Sequence, residues 1–276
     1  MSSKTAALRS HVASALAACV ASPFEYRDRP VVETVPVGIG PVDFLTGGFP
    51  RGSLTEIYGP PCSGRTSLLI SALASRTAAS EVCALVDARD SFDPTSAEAA
   101  GVKLKHLLWV RCRSVDQALR STDLLIQGGG FGLIALDFGD TPAQVIRYVP
   151  LQVWFRFRRA VESTPTILVV LEQESNAKTC ASLVLQLRMQ EAQWSRTSGT
   201  AEEILSHHSP GCLLEGSKSH AEMIRSRTKQ EGSRLIQQEV FMHGGGNGIE
   251  FETEAMEIYS CALSGIHSSG GGSGKG

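Results

Sequence analysis

Residues 53–66, with the sequence SLTEIYGPPCSGRT, decide the fold. Ser53 to Tyr58 form a short run typical of a β-strand, and Ser67 to Arg76 follow a helical pattern without glycine or proline. Between them, Gly59 to Thr66 match the pattern Gly-x-x-x-x-Gly-Lys-Ser/Thr, with Arg65 in place of the lysine. A loop between a strand and a helix gathers backbone N–H groups at the positive end of the helix dipole, where a phosphate fits. The stretch therefore predicts a phosphate-binding loop, against the alternative of a glycine-rich turn with no ligand.

Short apolar runs alternate with helical patterns downstream of this loop. The strand-like runs cover residues 82–86, 107–110, 133–136 and 166–171, and the helical patterns cover 115–126 and 151–162. This alternation predicts a mainly parallel sheet with helices on both faces. Further strands are expected over 183–189, 221–229 and 249–259, the later ones antiparallel because their connections are short, with a polar surface loop over 195–211.

Composition limits the class of protein and its surroundings. The chain has 276 residues, of which 42% are hydrophobic and 20% are charged, and these are ordinary values for a globular protein. Its formal charge is −2, so any affinity for nucleic acid must come from a local patch. The seven cysteines are odd in number and form no Cys-x-x-Cys pair, which argues against a disulfide framework or a zinc ribbon. Without a long apolar run, we expect a cytoplasmic protein with no membrane contact.

Three segments are expected along the chain. Residues 1–34 combine a linker with an amphipathic helix, in which Leu8, Val12 and Leu16 share one stripe. That stripe could pack on a neighbouring subunit or on its own domain. Residues 35–262 are expected to form the nucleotide-binding core. Residues 263–276 are a Gly/Ser tail, whose composition is shared by flexible linkers and expression scars.

Four segments together resemble the RecA recombinase family. Gly48 to Thr66 are similar to its phosphate loop and lead-in strand, and Val86 to Pro94 to the segment with the family's catalytic glutamate and an adenine contact. Leu133 to Asp137 resemble its Walker B strand, and Leu168 to Gln173 resemble the strand that ends in a γ-phosphate-sensing glutamine. All four follow the family's order. The resemblance implies a RecA-like P-loop α/β domain with a mainly parallel central sheet, helices on both faces and antiparallel strands at the C-terminal edge.

The same resemblance implies ATP and Mg²⁺ as cofactors. By it, Gln173 would sense the γ-phosphate and Asp93 would contact the adenine. The Thr66 hydroxyl and the carboxylate of Asp137 would hold Mg²⁺, although a strand-end aspartate can also simply cap a turn. The residues expected to bind the phosphates are those of the loop: Gly59, Pro60, Pro61, Cys62, Ser63, Gly64, Arg65, Thr66 and Ser67.

The sequence departs from the family pattern where hydrolysis would be catalysed. Arg89 occupies the position of the catalytic base, and a guanidinium cannot take a proton from water. Asp90 and Glu172 are close in sequence to the matched positions and are weak candidates for a substitute base. Ser96 replaces the aromatic residue that stacks on the adenine, which removes a stacking contact. We therefore expect slow hydrolysis at most.

A second departure concerns DNA binding. Recombinases of this family hold single-stranded DNA with two mobile loops, but here only Glu174 to Lys178 separate Gln173 from the next element. Two basic stretches, Trp154 to Arg159 and Arg225 to Lys229, are candidate DNA patches, although their spacing favours an exposed helix face and an exposed strand face. Direct binding of single-stranded DNA is therefore expected to be weak or indirect.

Three functions remain open. The chain most resembles the shortened RecA-like paralogues of the mutasome-accessory type, which implies an ATP-binding accessory protein in DNA repair, recombination or the damage-induced SOS response. Its expected partner is a RecA-type recombinase or a translesion polymerase, with self-association as a further expectation. The alternatives are a DNA-dependent ATPase that forms filaments on single-stranded DNA, and a degenerate scaffold that binds no nucleotide.

Overall fold

The computed structural model describes residues 32–194, 214–227 and 248–254. The expected N-terminal helix, the polar loop and the Gly/Ser tail therefore lie outside the described residues. Within those three described ranges, no helix is long and apolar enough to cross a membrane.

Strands and helices alternate over the first two thirds of the described chain. The strands are β1 Thr34–Val35, β2 Phe49–Pro50, β3 Ser53–Tyr58, β4 Cys83–Asp87, β5 Leu107–Arg111, β6 Leu133–Asp137, β7 Ile167–Glu172, β8 Leu183–Trp194, β9 Leu214–Ser226 and β10 Gly248–Glu254. The helices are α1 Gly40–Thr46, α2 Arg65–Ala78, α3 Pro94–Ala99, α4 Val115–Gly128, α5 Ala143–Ile146 and α6 Leu151–Glu162. Short 3-10 turns cover Leu104–His106 and Lys178–Cys180.

The central sheet is mixed and mostly parallel. Its eight described strands lie in the order β10-β9-β8-β3-β7-β6-β4-β5. The six strands from β8 to β5 are parallel, whereas β9 and β10 add antiparallel strands at one edge. The expected α/β fold with antiparallel strands at the C-terminal edge is confirmed.

The two faces of the sheet bury separate apolar layers because successive side chains of a strand point to opposite faces. On one face, Ile57 of β3 packs with the α2 residues Leu68 and Leu73. On the other, Leu54 of β3 packs with α4 and with Trp154 of α6. The phosphate-loop helix and the α4–α6 pair therefore cover opposite faces.

Most predicted elements coincide with the structure, but the short helices α1, α3 and α5 were not predicted, and the antiparallel edge differs in its bounds. The helix expected over 151–162 has those same bounds in α6. The strand β9 begins at Leu214, seven residues before the expected start at residue 221, and β8 runs on to Trp194 instead of ending at 189. Backbone pairing between β8 and β9 extends both strands through polar residues that carry no apolar signal in the sequence.

Candidate nucleotide-binding site

The phosphate loop is a tight connection between β3 and α2. The Gly59 N–H donates to the Glu172 carbonyl at 3.2 Å, and a Cβ at Gly59 would lie 2.2 Å from the Leu187 carbonyl oxygen. Gly64 precedes α2 with a φ of 90°, a left-handed conformation that favours glycine. The strand, loop and helix predicted from the sequence are therefore present, and both motif glycines have a steric reason to be there.

The loop presents its outer residues to solvent at the N-terminus of α2. Pro60, Pro61, Cys62 and Thr66 are exposed, Ser67 is half-buried, and Ser63 is buried. Helix α2 has 14 residues and begins without a side-chain cap, because its N-cap residue is glycine. The first N–H groups of a helix have no partner within the helix, so this end can accept an anion.

Arg65 points from the loop towards the ends of two other strands. Its Nη1 donates to the Glu172 carbonyl at 2.6 Å, and its Nη2 donates to the Gly139 carbonyl at 3.2 Å. The residue is 6% exposed. Burial lowers the pKa of the guanidinium, and the negative charges of Asp137 and Asp140 oppose that shift.

Asp137 and Gln173 meet Arg65 around Gly139. The Gly139 N–H donates to Asp137 Oδ1 at 2.7 Å, and Gln173 Nε2 donates to the Gly139 carbonyl at 3.1 Å. Burial raises the pKa of the Asp137 carboxyl to about 6, and repulsion from Asp87 and Asp140 adds to this, whereas the Gly139 N–H and the Arg65 charge lower it. The structure thus brings together three site residues that the sequence predicted separately.

Other predicted site residues are placed apart from this cluster. The exposed carboxylate of Asp90 pairs with Arg111, whose Nε donates to it at 2.5 Å. Asp93 accepts from the Thr95 N–H and the Ser96 N–H at the start of α3, and these local bonds use its carboxylate as a helix cap. In neither case do these contacts involve a residue of the phosphate loop, so both roles stay predictions.

Arg89 lines a cavity of about 500 Å³ at the ends of β4 and β5. The cavity is also lined by Arg113, Leu119, Val145 and Tyr148, and its lining residues include none from the phosphate loop. The residue at the expected position of the catalytic base therefore lines a cavity to which the phosphate loop contributes no residue.

Glu172 belongs to a buried acid pair that sequence reasoning missed. Glu172 and Leu168 share the sheet face of α4 and α6, opposite to α2, because residues two apart on a strand point the same way. Glu172 Oε2 accepts from Asn176 Nδ2 at 2.6 Å, and burial, followed by repulsion from Glu56, raises the pKa of Glu172 to about 8. The contacts of Glu172 thus give no support to its expected role as a substitute base. The available signal was a glutamate in each of two strand-like runs, SLTEIY and ILVVLE.

Glu56 ties down the segment that follows Gln173. Its carboxylate accepts from the Ser175 hydroxyl at 2.8 Å and from the Asn176 and Ala177 N–H groups at 2.7 and 2.8 Å. Glu56 itself is fully buried. The segment where the family has a mobile DNA-binding loop is therefore short and fixed to β3.

The basic stretch in α6 is a sheet-covering helix, as its spacing favoured. Trp154 and Phe157 are fully buried, and Arg156 pairs with Asp123 at 3.2 Å. In the other basic stretch, Arg225 Nη1 donates to the Lys178 carbonyl at 2.5 Å. Two of the candidate DNA-binding arginines, Arg156 and Arg225, therefore make contacts with other residues of this chain.

The chemistry of the cluster fits a phosphate better than a divalent ion. The helix N-terminus and the Arg65 guanidinium both favour an anion. A Cβ at Gly139 would lie 3.0 Å from Asp137 Oδ1 and 3.5 Å from Arg65 Nη1, so the carboxylate and the guanidinium flank the same glycine. The Arg65 guanidinium therefore lies in the surroundings of the carboxylate that was expected, together with Thr66, to hold Mg²⁺. The fit of these residues to a hydrated Mg²⁺ is therefore poor, and the metal-binding role of Thr66 and Asp137 stays a prediction.

Comparisons with known proteins point to one family. Residues 24–144 match the family model of the RecA N-terminal domain. Protein RecA of Chlorobaculum parvum is 39% identical over 108 residues, which are 38% of this chain and 31% of that protein, and Protein RecA of Brucella anthropi is 38% identical over 108 residues. These matches support a relationship of this chain to the RecA family. The aligned part is under a third of the length of these curated relatives.

The RecA-like match covers the loop and Asp137 but ends before Gln173. A comparison of the fold covers more of the chain. The crystal structure of the RadB recombinase superimposes with a TM-score of 0.52 and covers 71% of this chain and 92% of that chain, at 17% identity. At that identity the likeness shows the RecA/RadB-like α/β fold alone.

Proposed function

We propose that this chain is an ATP-binding accessory protein in DNA repair, recombination or damage-induced mutagenesis, which acts through a protein partner in the cytoplasm. The observation that carries the proposal is the convergence of Arg65, Asp137 and Gln173 on Gly139, next to the phosphate loop. A glutamine that shares an acceptor with the phosphate-loop arginine is well placed to change contacts when a phosphate arrives. The RecA match over residues 24–144 supports the same class of role.

Hydrolysis is expected to be slow in this proposal. A positioned general base contributes roughly 10²- to 10⁴-fold to a rate, and Arg89 offers none. Neither substitute contributes in the observed arrangement, since Asp90 is paired with Arg111 and Glu172 lies on the opposite face of the sheet from α2. We therefore expect the protein to bind ATP and to signal the bound state to its partner, with little hydrolysis.

Action through a partner is expected because the chain has little to hold DNA by itself. The segment after Gln173 is fixed by Glu56, and a net charge of −2 gives no long-range attraction to a polyanion. The partner classes proposed are a RecA-type recombinase, a translesion polymerase or a second copy of this chain. Weak binding of single-stranded DNA, or binding only through the partner, agrees with this proposal.

A second candidate is a DNA-dependent ATPase that builds filaments. The identity to RecA proteins over 108 residues, 38% of this chain, favours it. The two candidates differ in a simple assay, because a filament-forming ATPase should release phosphate faster when single-stranded oligothymidine is added. The accessory protein should show little phosphate release in either condition and no coated DNA in electron micrographs. A brisk DNA-stimulated ATPase of the purified chain would replace the first proposal by the second.

Nucleotide binding is tested by placing a negative charge at the loop. Thr66→Glu adds a carboxylate at an exposed position in the first turn of α2, where it would repel the phosphates, so we expect the affinity for a fluorescent ATP analogue to fall about tenfold or more. Gln152→Glu is the matched control, because Gln152 is also exposed at the second position of a helix, α6. Equal affinity of both variants would show that the loop is only a turn, whereas no binding by the wild type would support the degenerate scaffold.

A further inference from the structure

Arg65 is a cation that the tertiary structure holds in place. Its guanidinium is bound by the carbonyl of Glu172, at the end of β7, and by the carbonyl of Gly139, just after β6. Both acceptors are backbone atoms beside neighbouring sheet strands, so they do not change position with a side-chain rotamer. The guanidinium is therefore an almost buried positive charge at the carboxyl ends of these strands.

The charge lies in the surroundings of Asp137, the carboxylate expected to bind a metal ion. Asp137 Oδ1 and Arg65 Nη1 both lie close to the site of a Cβ at Gly139, at 3.0 and 3.5 Å. An arginine stays charged in proteins under all ordinary conditions, even where burial lowers its pKa. Asp137 therefore already has a permanent cation in its surroundings.

A divalent ion held by Asp137 would lie near this guanidinium, because both groups border Gly139. Mg²⁺ requires a near-octahedral shell of oxygen atoms at about 2.0–2.1 Å and usually keeps several waters. A lysine ammonium is compact and flexible, whereas the guanidinium is planar, broad and fixed by two hydrogen bonds. Repulsion between the two cations also grows in a poorly hydrated site.

We propose that Arg65 is a built-in cation that takes the place of the divalent metal, so that the site binds a nucleoside triphosphate as the free anion, without Mg²⁺. The inference rests on the nucleotide binding proposed above. The two bonds to carbonyls use two of the five N–H donors of a guanidinium, which leaves donors for phosphate oxygens. Arg65 then neutralises phosphate charge from within the chain.

The first experiment compares two buffers with the wild-type protein. The affinity for a fluorescent ATP analogue is measured by anisotropy in excess Mg²⁺ and in excess EDTA. We expect dissociation constants that agree within about threefold, because the guanidinium is present in both buffers. A tenfold or greater gain in affinity with Mg²⁺ would overturn the inference while leaving nucleotide binding intact.

The second experiment tests whether nucleotide binding depends on Mg²⁺ once the guanidinium is removed. In Arg65→Lys the ammonium cannot span both carbonyls, so the space beside Asp137 opens, and we expect binding about tenfold tighter in Mg²⁺ than in EDTA. The control is Arg51→Lys, since Arg51 also donates to a backbone carbonyl, that of Pro165 at 3.2 Å, and this variant should respond as the wild type does. An Arg65→Lys protein that ignores Mg²⁺ would contradict the inference.

The outcomes separate the inference from the function on which it rests. If no nucleotide binds in either buffer, the proposed function fails and the inference fails with it. If nucleotide binds only in Mg²⁺, the function stands and the inference is wrong. Thermal unfolding of each variant shows that it is folded, and the wild-type comparison decides the inference even if Arg65→Lys does not fold.

Discussion

Replacing Trp154 with alanine should lower the free energy of unfolding by about 3 to 5 kcal/mol, the range for removing a large aromatic side chain from a core. Trp154 is fully buried between α6 and the sheet, and its ring meets the Phe157 ring edge-on with centroids 6.2 Å apart. Among the described residues the indole Nε1 has no hydrogen-bond partner, so the loss is one of packing. Urea unfolding followed by circular dichroism measures it.

A matched variant on the same helix separates packing from helix propensity. Phe155 is 43% exposed, so Phe155→Ala should change the free energy of unfolding by less than about 1 kcal/mol. If the two variants lose the same stability, the orientation assigned to α6 is wrong, and with it the interpretation of its arginines as a surface face.

The stability of the protein should fall as the pH rises from about 5 to about 8.5, and Glu172→Gln should remove much of this fall. Burial, then repulsion from Glu56, raises the pKa of Glu172 from 4.5 to about 8 in the folded state. Between these two values the folded protein holds a proton that the unfolded chain has lost. The stabilisation is therefore complete below the unfolded pKa and is lost as the pH rises through the folded pKa.

The size of the effect follows from the shift. Each pKa unit corresponds to about 1.4 kcal/mol, so the expected loss is on the order of a few kcal/mol. The proton is assigned to Glu172 because Glu56 accepts from three donors, two of them backbone N–H groups, which favours its ionised form. Glutamine keeps the shape of the neutral acid without a charge to bury.

Urea midpoints of the wild type and Glu172→Gln over this pH range test the assignment. The difference in stability between the two proteins should grow in favour of the variant as the pH rises. The pKa of Asp137 is raised to about 6, and this residue is present in both proteins. Its contribution to the pH dependence therefore cancels in that difference. Two profiles that run parallel would show that Glu172 is not the protonated member of the pair.

The local pattern of the chain was sufficient to predict the phosphate loop and the parallel sheet. Gly59 and Gly64 mark the loop because only glycine fits beside the Leu187 carbonyl and at a φ of 90°. The apolar runs of β4, β6 and β7 identify these strands because a parallel strand buried on both faces is mostly apolar. Asp137 and Gln173 fall at or just beyond strand ends, and the carboxyl ends of parallel strands meet at one edge of the sheet.

Contacts distant in sequence could not be predicted in this way. Glu56 and Glu172 lie in different strands, and only the pairing of β3 with β7 makes them one buried pair that holds the segment after Gln173. Asp93 differs because its contacts are local. Its carboxylate accepts hydrogen bonds from the N–H groups of the nearby residues Thr95 and Ser96. Neither outcome follows from a motif, which records residue types and spacing but not competing hydrogen-bond partners.

The sequence by itself determined that a strand, a phosphate loop and a helix follow one another, and that an arginine stands where a lysine was expected. Only the tertiary structure decided what that arginine does. Its partners lie 74 and 107 positions away along the chain, and they come together because β6 and β7 pair in the sheet. Local propensity acts over a few residues, whereas the direction of a buried guanidinium depends on where the folded sheet places carbonyl oxygens that can accept its hydrogen bonds.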